Sequence, residues 1–123
     1  MSVDPTAETI RPFVTAAGED DRPFVMLNLL AFDGEEGRRT YEEYGRQAQP
    51  HLERVGGEVI YHGAGDPALV DDQGRSWDTV MLVRYPSRAA FLEMIADPDY
   101  QETSKLRTAA LADAVLQPTT PAS

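Results

Sequence analysis

The 123-residue sequence contains no cysteine. This absence excludes disulfide bonds, thiolate metal sites and cysteine nucleophiles, and it fits a reducing compartment. Histidine is almost as scarce, because His51 and His62 are the only two and lie apart in the sequence. Since paired histidines are the usual basis of a zinc site, we expect no metal ion.

Positive charge is also in short supply. Lysine and arginine number 11 against 21 acidic residues, so the formal net charge is −10. An acidic surface repels phosphate groups, and we therefore expect no nucleic-acid partner and no binding to anionic membranes. No apolar run approaches the roughly 20 residues that a membrane span needs. The N-terminus also lacks the basic-then-apolar order of a signal peptide, so a cytoplasmic protein is expected.

What the sequence does have is a dense apolar run at residues 23–32, in which Asn28 is the one polar side chain. A short run that is apolar at both parities is typical of a strand covered on both faces. A buried amide without partners costs about 1–3 kcal/mol, so Asn28 must find a role. It orients a substrate carbonyl or stabilises an enolate-like oxygen, or it simply satisfies neighbouring backbone groups.

Periodicity and turn residues predict the remaining elements. Residues 1–22 form an extension with a short helix near 5–17, residues 23–117 form one domain, and residues 118–123 form a flexible tail. Within the domain we expect strands at about 23–32, 58–63, 77–85 and 114–117, with a further short strand at 68–70. We expect helices at about 38–55, 87–96 and 99–112.

This order of strand, helix, strand, strand, helix, strand predicts an α+β fold of the ferredoxin-like βαββαβ type. Its single antiparallel sheet carries the helices on one face. The first and third strands, however, are apolar on both parities, and the helices can cover only one face. A second copy of the chain is the simplest cover for the other face. We therefore expect a homodimer whose two sheets face each other as a dimeric α/β barrel.

Several segments carry a family resemblance: LVRYPSRAAF at 82–91 followed by DPDY at 97–100 and Arg107, GGEVIYHG at 56–63, and Trp77-Asp78. In this order they resemble the dimeric α/β-barrel family known as domain of unknown function thirteen-thirty, over roughly residues 23–117. The resemblance implies a homodimer with a cavity in or beside each subunit's sheet. It implies no settled activity, since related barrels include cofactor-free monooxygenases, isomerases and haem-binding proteins.

Asn28 and His62 are the candidate catalytic residues. An imidazole suits a general base at neutral pH, and a structural histidine is the alternative. If strand parity turns His62 away from the helices, it points into the cavity with Ile60; a shift of one residue places Tyr61 there instead.

Five further residues are candidates for contacting a substrate. Arg107 and Tyr100 are seven residues apart, which places them on one helix face, where the arginine binds a carboxylate or forms a surface ion pair. Trp77 is expected to wall an apolar pocket, and Asp78 to orient the histidine or pair with an arginine. Tyr41 has the helical spacing of a core residue and is the remaining candidate.

These residues predict a protein that binds a small apolar or aromatic organic molecule without a cofactor. Cofactor-free monooxygenation or isomerisation is the enzymatic hypothesis. The alternative is a non-catalytic binding protein or dimer scaffold. Haem binding is a minority alternative that would require His51 or His62 as the ligand.

Overall fold

The computed structural model describes residues 2–122, which fold around a four-stranded antiparallel sheet. The strands are β1 Phe24–Phe32, β2 Glu58–Ala64, β3 Thr79–Tyr85 and β4 Leu111–Thr119, and they lie in the order β2-β3-β1-β4. The helices are α1 Ala7–Ala17, α2 Gly34–Arg54, α3 Arg88–Ala96 and α4 Pro98–Ala110. This arrangement confirms the predicted ferredoxin-like α+β fold. Within the described residues, no helix is long and apolar enough to cross a membrane.

Several element boundaries differ from the sequence-based expectation. The short strand expected at 68–70 does not form, and Leu69 and Val70 are fully exposed there. The last strand is longer than expected and includes Pro118, which was assigned to the tail. A proline is tolerated in β4 because this strand lies at the edge of the sheet and pairs with β1 alone.

The hydrophobic core lies between the sheet and the helices. Residues of β1 alternate strictly, so that Phe24, Met26, Asn28 and Leu30 are buried on the helix side. The α1 helix contributes Phe13, whose ring is 5.5 Å from that of Phe24. Because Phe24 is fully buried, its truncation to alanine would cost about 3–5 kcal/mol. The same face of the sheet therefore carries the core and the buried amide.

The opposite face of the sheet is also apolar. It presents a set of half-buried aliphatic side chains from β1, β3 and β4: Val25, Leu27, Leu29, Val80, Leu82 and Val115. The helices pack on the other face, as the core contacts of Phe13, Leu52, Phe91 and Tyr100 show. This aliphatic face is the surface for which the sequence predicts a cover.

The α2 and α4 helices approach each other closely at Gly37. A methyl group at this position would lie 2.5 Å from the carbonyl oxygen of Ala110, which leaves room only for glycine. The same carbonyl accepts a hydrogen bond of 2.8 Å from the Asp33 amide. A hydrogen bond of 2.7 Å between the hydroxyls of Tyr44 and Tyr100 joins the two helices further along. The helices are thereby fixed to one another.

Candidate functional site

A cavity of about 760 Å³ lies between the sheet and the helices. This volume is within the range of small-molecule sites in proteins, about 300–1,000 Å³. The sheet provides its floor, α2 and α4 provide much of its roof, and α3 contributes Phe91, Met94 and Ile95. The rim includes the exposed residues Arg38, Glu42 and Gln49. The cavity is thus inside the protomer, on the helix face of the sheet.

One cross-strand row of the sheet runs along the cavity floor. Leu116 pairs with Asn28, Asn28 with Met81, and Met81 with His62, and all four line the cavity. Adjacent strands are about 4.8 Å apart, so the Cα atoms of Asn28 and His62 are about 10 Å apart. The two candidate catalytic residues therefore face one space from opposite sides of Met81.

A β-bulge decides which residues of β2 face the cavity. The register shifts between Val59 and Tyr61, so that Val59 and His62 both reach the cavity although they are three residues apart. Ile60 is the inserted residue, and Tyr61 pairs with Leu82 on the opposite face. Of the two parities that the sequence leaves open, Tyr61 therefore takes the face opposite the helices, and His62 reaches the cavity on the helix side.

The amide of Asn28 is only partly satisfied. Its Nδ2 donates a hydrogen bond of 3.3 Å to the carbonyl of Met26, which is long for this type of bond. Its Oδ1 accepts no hydrogen bond from the described residues, although only 6% of the residue is exposed. The amide oxygen lines the cavity wall with its acceptor capacity free.

Tyrosine side chains form one wall of the cavity. Tyr41, Tyr44, Tyr85 and Tyr100 all line it, and the Tyr41 hydroxyl has no hydrogen-bond partner among the described residues. Burial raises the pKa of Tyr41 to about 12, although the nearby charge of Arg107 opposes the shift. Burial likewise raises the pKa of Tyr44 well above its ordinary value. These phenols are therefore neutral near pH 7.

Arg107 is a buried cation at the cavity wall, with 6% of the residue exposed. Its Nη1 donates a hydrogen bond of 2.6 Å to the carbonyl of Val3 and lies 3.4 Å from Oδ1 of Asp4. Its Nη2 is buried and has no hydrogen-bond partner among the described residues. A buried donor without a partner costs about 1–3 kcal/mol. Arg107 therefore forms an ion pair, but from a buried position and with Asp4 of the N-terminal segment.

Trp77 and Asp78 lie outside this cavity, contrary to expectation. Trp77 has the strand parity of Met81, but β3 begins only at Thr79, so the indole lies beyond the end of the strand. It stacks instead beneath the guanidinium of Arg75, 4.6 Å from the ring centroid. Asp78 accepts a hydrogen bond of 2.9 Å from the Phe32 amide, which is a structural role at the end of β1.

Ser104, Tyr44 and Asp4 are polar residues of the cavity that the sequence did not single out. Ser104 lies four residues after Tyr100 and three before Arg107, so helical spacing alone would have found it. Tyr44 lies three residues after Tyr41 on the same face of α2. Asp4 gave no local signal, because its position depends on a contact more than a hundred residues away. Among residues 2–122, no group of three or more histidines and carboxylates is placed to hold a metal ion.

Comparison with known proteins identifies relatives of the chain. The family model described as Domain of unknown function (DUF1330) matches residues 35–117, which confirms the resemblance noted in the sequence. A solved protein of unknown function from Rhodopseudomonas palustris is 38% identical; the match covers 98% of this chain and 97% of that one, with a TM-score of 0.87. A search of curated proteins found no match.

Two more distant structures share the fold. A putative antibiotic biosynthesis monooxygenase from Bacteroides thetaiotaomicron is 17% identical, over 83% of this chain and 91% of that one, with a TM-score of 0.59. A hydroxynitrile lyase from Passiflora edulis is 13% identical, over 80% and 93%, with a TM-score of 0.61. At such identities the likeness shows the fold alone.

The buried tyrosines predict a distinctive alkaline titration. The folded-state pKa values of Tyr41, Tyr44, Tyr85 and Tyr100 are raised, whereas the unfolded chain ionises near pH 10. The folded state therefore binds more protons above pH 10, and the free energy of unfolding falls as pH rises through about 10–12. At about pH 11, native protein should show up to four fewer phenolates than urea-unfolded protein by near-ultraviolet absorbance. Equal phenolate content would contradict the burial of these hydroxyls.

Proposed function

The chain belongs to the family of domains of unknown function DUF1330, and from that premise we propose that it binds a small apolar or aromatic organic molecule in its cavity. The observation that carries the proposal is the cavity itself, about 760 Å³ lined mainly by apolar and aromatic side chains. Among the described residues, three polar atoms of its lining find no hydrogen-bond partner: Asn28 Oδ1, the Tyr41 hydroxyl and Arg107 Nη2. A few placed polar groups in an apolar cavity are typical of a ligand site.

We further propose that this site catalyses a reaction of the bound molecule. Monooxygenation and isomerisation without a cofactor both begin with removal of a proton from an acidic C–H bond. His62 is the proposed base, and the second N–H of Asn28 Nδ2, which the Met26 carbonyl does not use, is the proposed donor to the enolate-like oxygen. A flat ligand that lies over Met81 would contact both side chains, because the three residues share one row of the sheet.

Non-catalytic binding is the second candidate function. The hydrogen bond from Asn28 Nδ2 to the Met26 carbonyl favours it, since it ties the amide partly to the backbone. In this case the same cavity binds its ligand without a chemical step. The two candidate functions are distinguished by whether the protein converts the ligand.

A homodimer is the proposed assembly. The aliphatic face, centred on Leu29 and its neighbours in β3 and β4, is half-buried and faces away from the helices. A second copy would remove this surface from water, at roughly 25 cal/mol per Å² of apolar area. In a twofold dimer the same surface of each subunit contacts the other, so the aliphatic face pairs with its own copy.

Binding in the cavity is tested by filling it. N-phenyl-1-naphthylamine, a neutral dye that fluoresces in apolar surroundings, should bind the wild-type protein. The Ala48→Phe substitution places a ring in the cavity and should weaken the dye's affinity by about tenfold, or 1.4 kcal/mol. The matched control is Gln47→Phe. Gln47 is the residue of α2 that precedes Ala48; it is exposed and does not line the cavity. No binding by the wild type, or equal loss in both variants, would refute the cavity as the site.

Catalysis is tested by proton exchange. The aromatic ketone 2-tetralone carries an acidic C–H next to its carbonyl, and its exchange for deuterium is measured by NMR in heavy water. The protein should accelerate exchange, and His62→Ala and Asn28→Ala should each slow it by about 100-fold, as expected for loss of a base or an oxyanion donor. If the double variant exchanges as fast as the wild type, the non-catalytic candidate stands alone.

Dimerisation is tested on the aliphatic face. The Leu29→Glu substitution places a charge in the proposed interface and should convert a species of twice the chain mass into a monomer in sedimentation velocity. The matched control is Leu69→Glu on the exposed β2–β3 loop, which should leave the dimer intact. A wild-type protein that sediments as a monomer would contradict this assembly.

A further inference from the structure

A carboxylate already lies beside Arg107, and it belongs to the chain's own N-terminal segment. Asp4 Oδ1 lies 3.4 Å from Nη1, and the two carboxylate oxygens accept hydrogen bonds of 3.1 and 2.9 Å from the Thr108 hydroxyl. A guanidinium and a carboxylate usually pair through two parallel hydrogen bonds. Here Asp4 and Arg107 make only one long contact instead of two parallel hydrogen bonds.

The two partners of this ion pair are unequally buried. The side chain of Arg107 is 8% exposed and that of Asp4 is 46% exposed. Nη2 of the arginine is buried and has no partner within residues 2–122, and Arg107 lines the cavity. The other arginine at the cavity, Arg38, is exposed at the rim. The buried guanidinium therefore keeps bonding capacity that Asp4 does not use.

Asp4 lies where a shift of its side chain would leave the fold intact. On one side Val3 packs against the cluster of Leu30, Ala110 and Leu111. On the other side Thr6 caps the first turn of α1 by accepting a hydrogen bond from Thr9. Asp4 and Pro5 line the main cavity and also a second cavity of about 230 Å³, so the segment has free space next to it.

We propose that the cavity selects ligands that carry one carboxylate, that this carboxylate binds Arg107, and that Asp4 is an internal competitor for the same position. The proposal rests on the proposed function of the cavity as a small-molecule site. A ligand carboxylate displaces Asp4 from Nη1 and adds the missing partner at Nη2. The apolar body of the ligand then extends over Met81.

The chemistry of the wall favours a monocarboxylate over a phosphate. Arg107 is the one buried cation that lines the cavity among the described residues, and the surrounding side chains are mainly apolar and aromatic. A second negative charge would remain unbalanced in these surroundings, which is unfavourable. Neutral tyrosine hydroxyls, including the unpartnered one of Tyr41, donate hydrogen bonds to the same anion without adding charge.

The test compares 2-naphthoate with its neutral isostere 2-naphthamide by isothermal titration calorimetry. Wild-type protein should bind the acid about tenfold more tightly than the amide, as expected for a charge-assisted hydrogen-bond pair. Asp4→Asn removes the competing charge at constant shape and should tighten naphthoate binding by about a further tenfold, with the amide unchanged. Glu8→Gln is the matched control, since this carboxylate in the first turn of α1 is exposed and lines neither cavity.

Substitution of the arginine completes the design. Arg107→Gln should remove the preference for the acid, and Arg107→Lys, which keeps the charge but loses the fork, should reduce it about tenfold. Circular dichroism tests whether each variant is folded. If Arg107→Gln does not fold, the Asp4→Asn variant tests the carboxylate proposal by itself.

The outcomes separate this proposal from the function on which it rests. Equal affinities for acid and amide, or a gain in Asp4→Asn no greater than in Glu8→Gln, would overturn the carboxylate proposal while ligand binding in the cavity stands. Failure of both probes to bind any variant would overturn the carboxylate proposal, and if N-phenyl-1-naphthylamine also fails to bind, the function of the cavity falls with it.

Discussion

The contact between α2 and α4 is the constraint on which the site depends. Gly37 brings the α2 backbone against the carbonyl of Ala110, and the hydroxyls of Tyr44 and Tyr100 join the helices further along. Helices that are tied to one another in this way cannot collapse individually onto the sheet. The space that remains beneath them is the cavity, and its floor is the row of side chains from Leu116 to His62.

The polar groups of the cavity are best considered as a set. An apolar core usually pairs every buried donor and acceptor, because each unpaired group is unfavourable. Here Asn28 and Arg107 each retain an atom that finds no partner in the described part of the chain, and both residues line the same cavity. Such capacity destabilises the empty protein and becomes favourable when a ligand supplies the missing partners. These free atoms support our proposal that the cavity binds a ligand.

The candidate site extends beyond the region that matches the family model. The region that matches the DUF1330 model, residues 35–117, contains His62 and Arg107 but neither Asn28 nor Asp4. The acceptor on β1 and the carboxylate beside the arginine are thus contributed from outside the matched region. In our proposal, the N-terminal segment adjusts an arginine-based site without altering the fold that holds it.

Local periodicity determined most of the architecture. The apolar run of β1 identified a buried strand with one amide in it, and the spacing of Tyr100 and Arg107 placed both on one face of α4. These inferences succeeded because the side-chain direction in a strand or helix follows from the position in the sequence. The order of the strands and helices then predicted the ferredoxin-like sheet.

Tertiary structure alone decided which of these residues meet. The bulge in β2 turned His62 toward the helices, the late start of β3 left Trp77 outside, and a contact spanning 103 positions brought Asp4 to Arg107. None of these outcomes follows from local pattern, because a register shift and a long-range contact depend on the neighbour that each strand or segment finds in the folded chain. The sequence by itself determined the elements and their faces, and the packing of those elements determined the site.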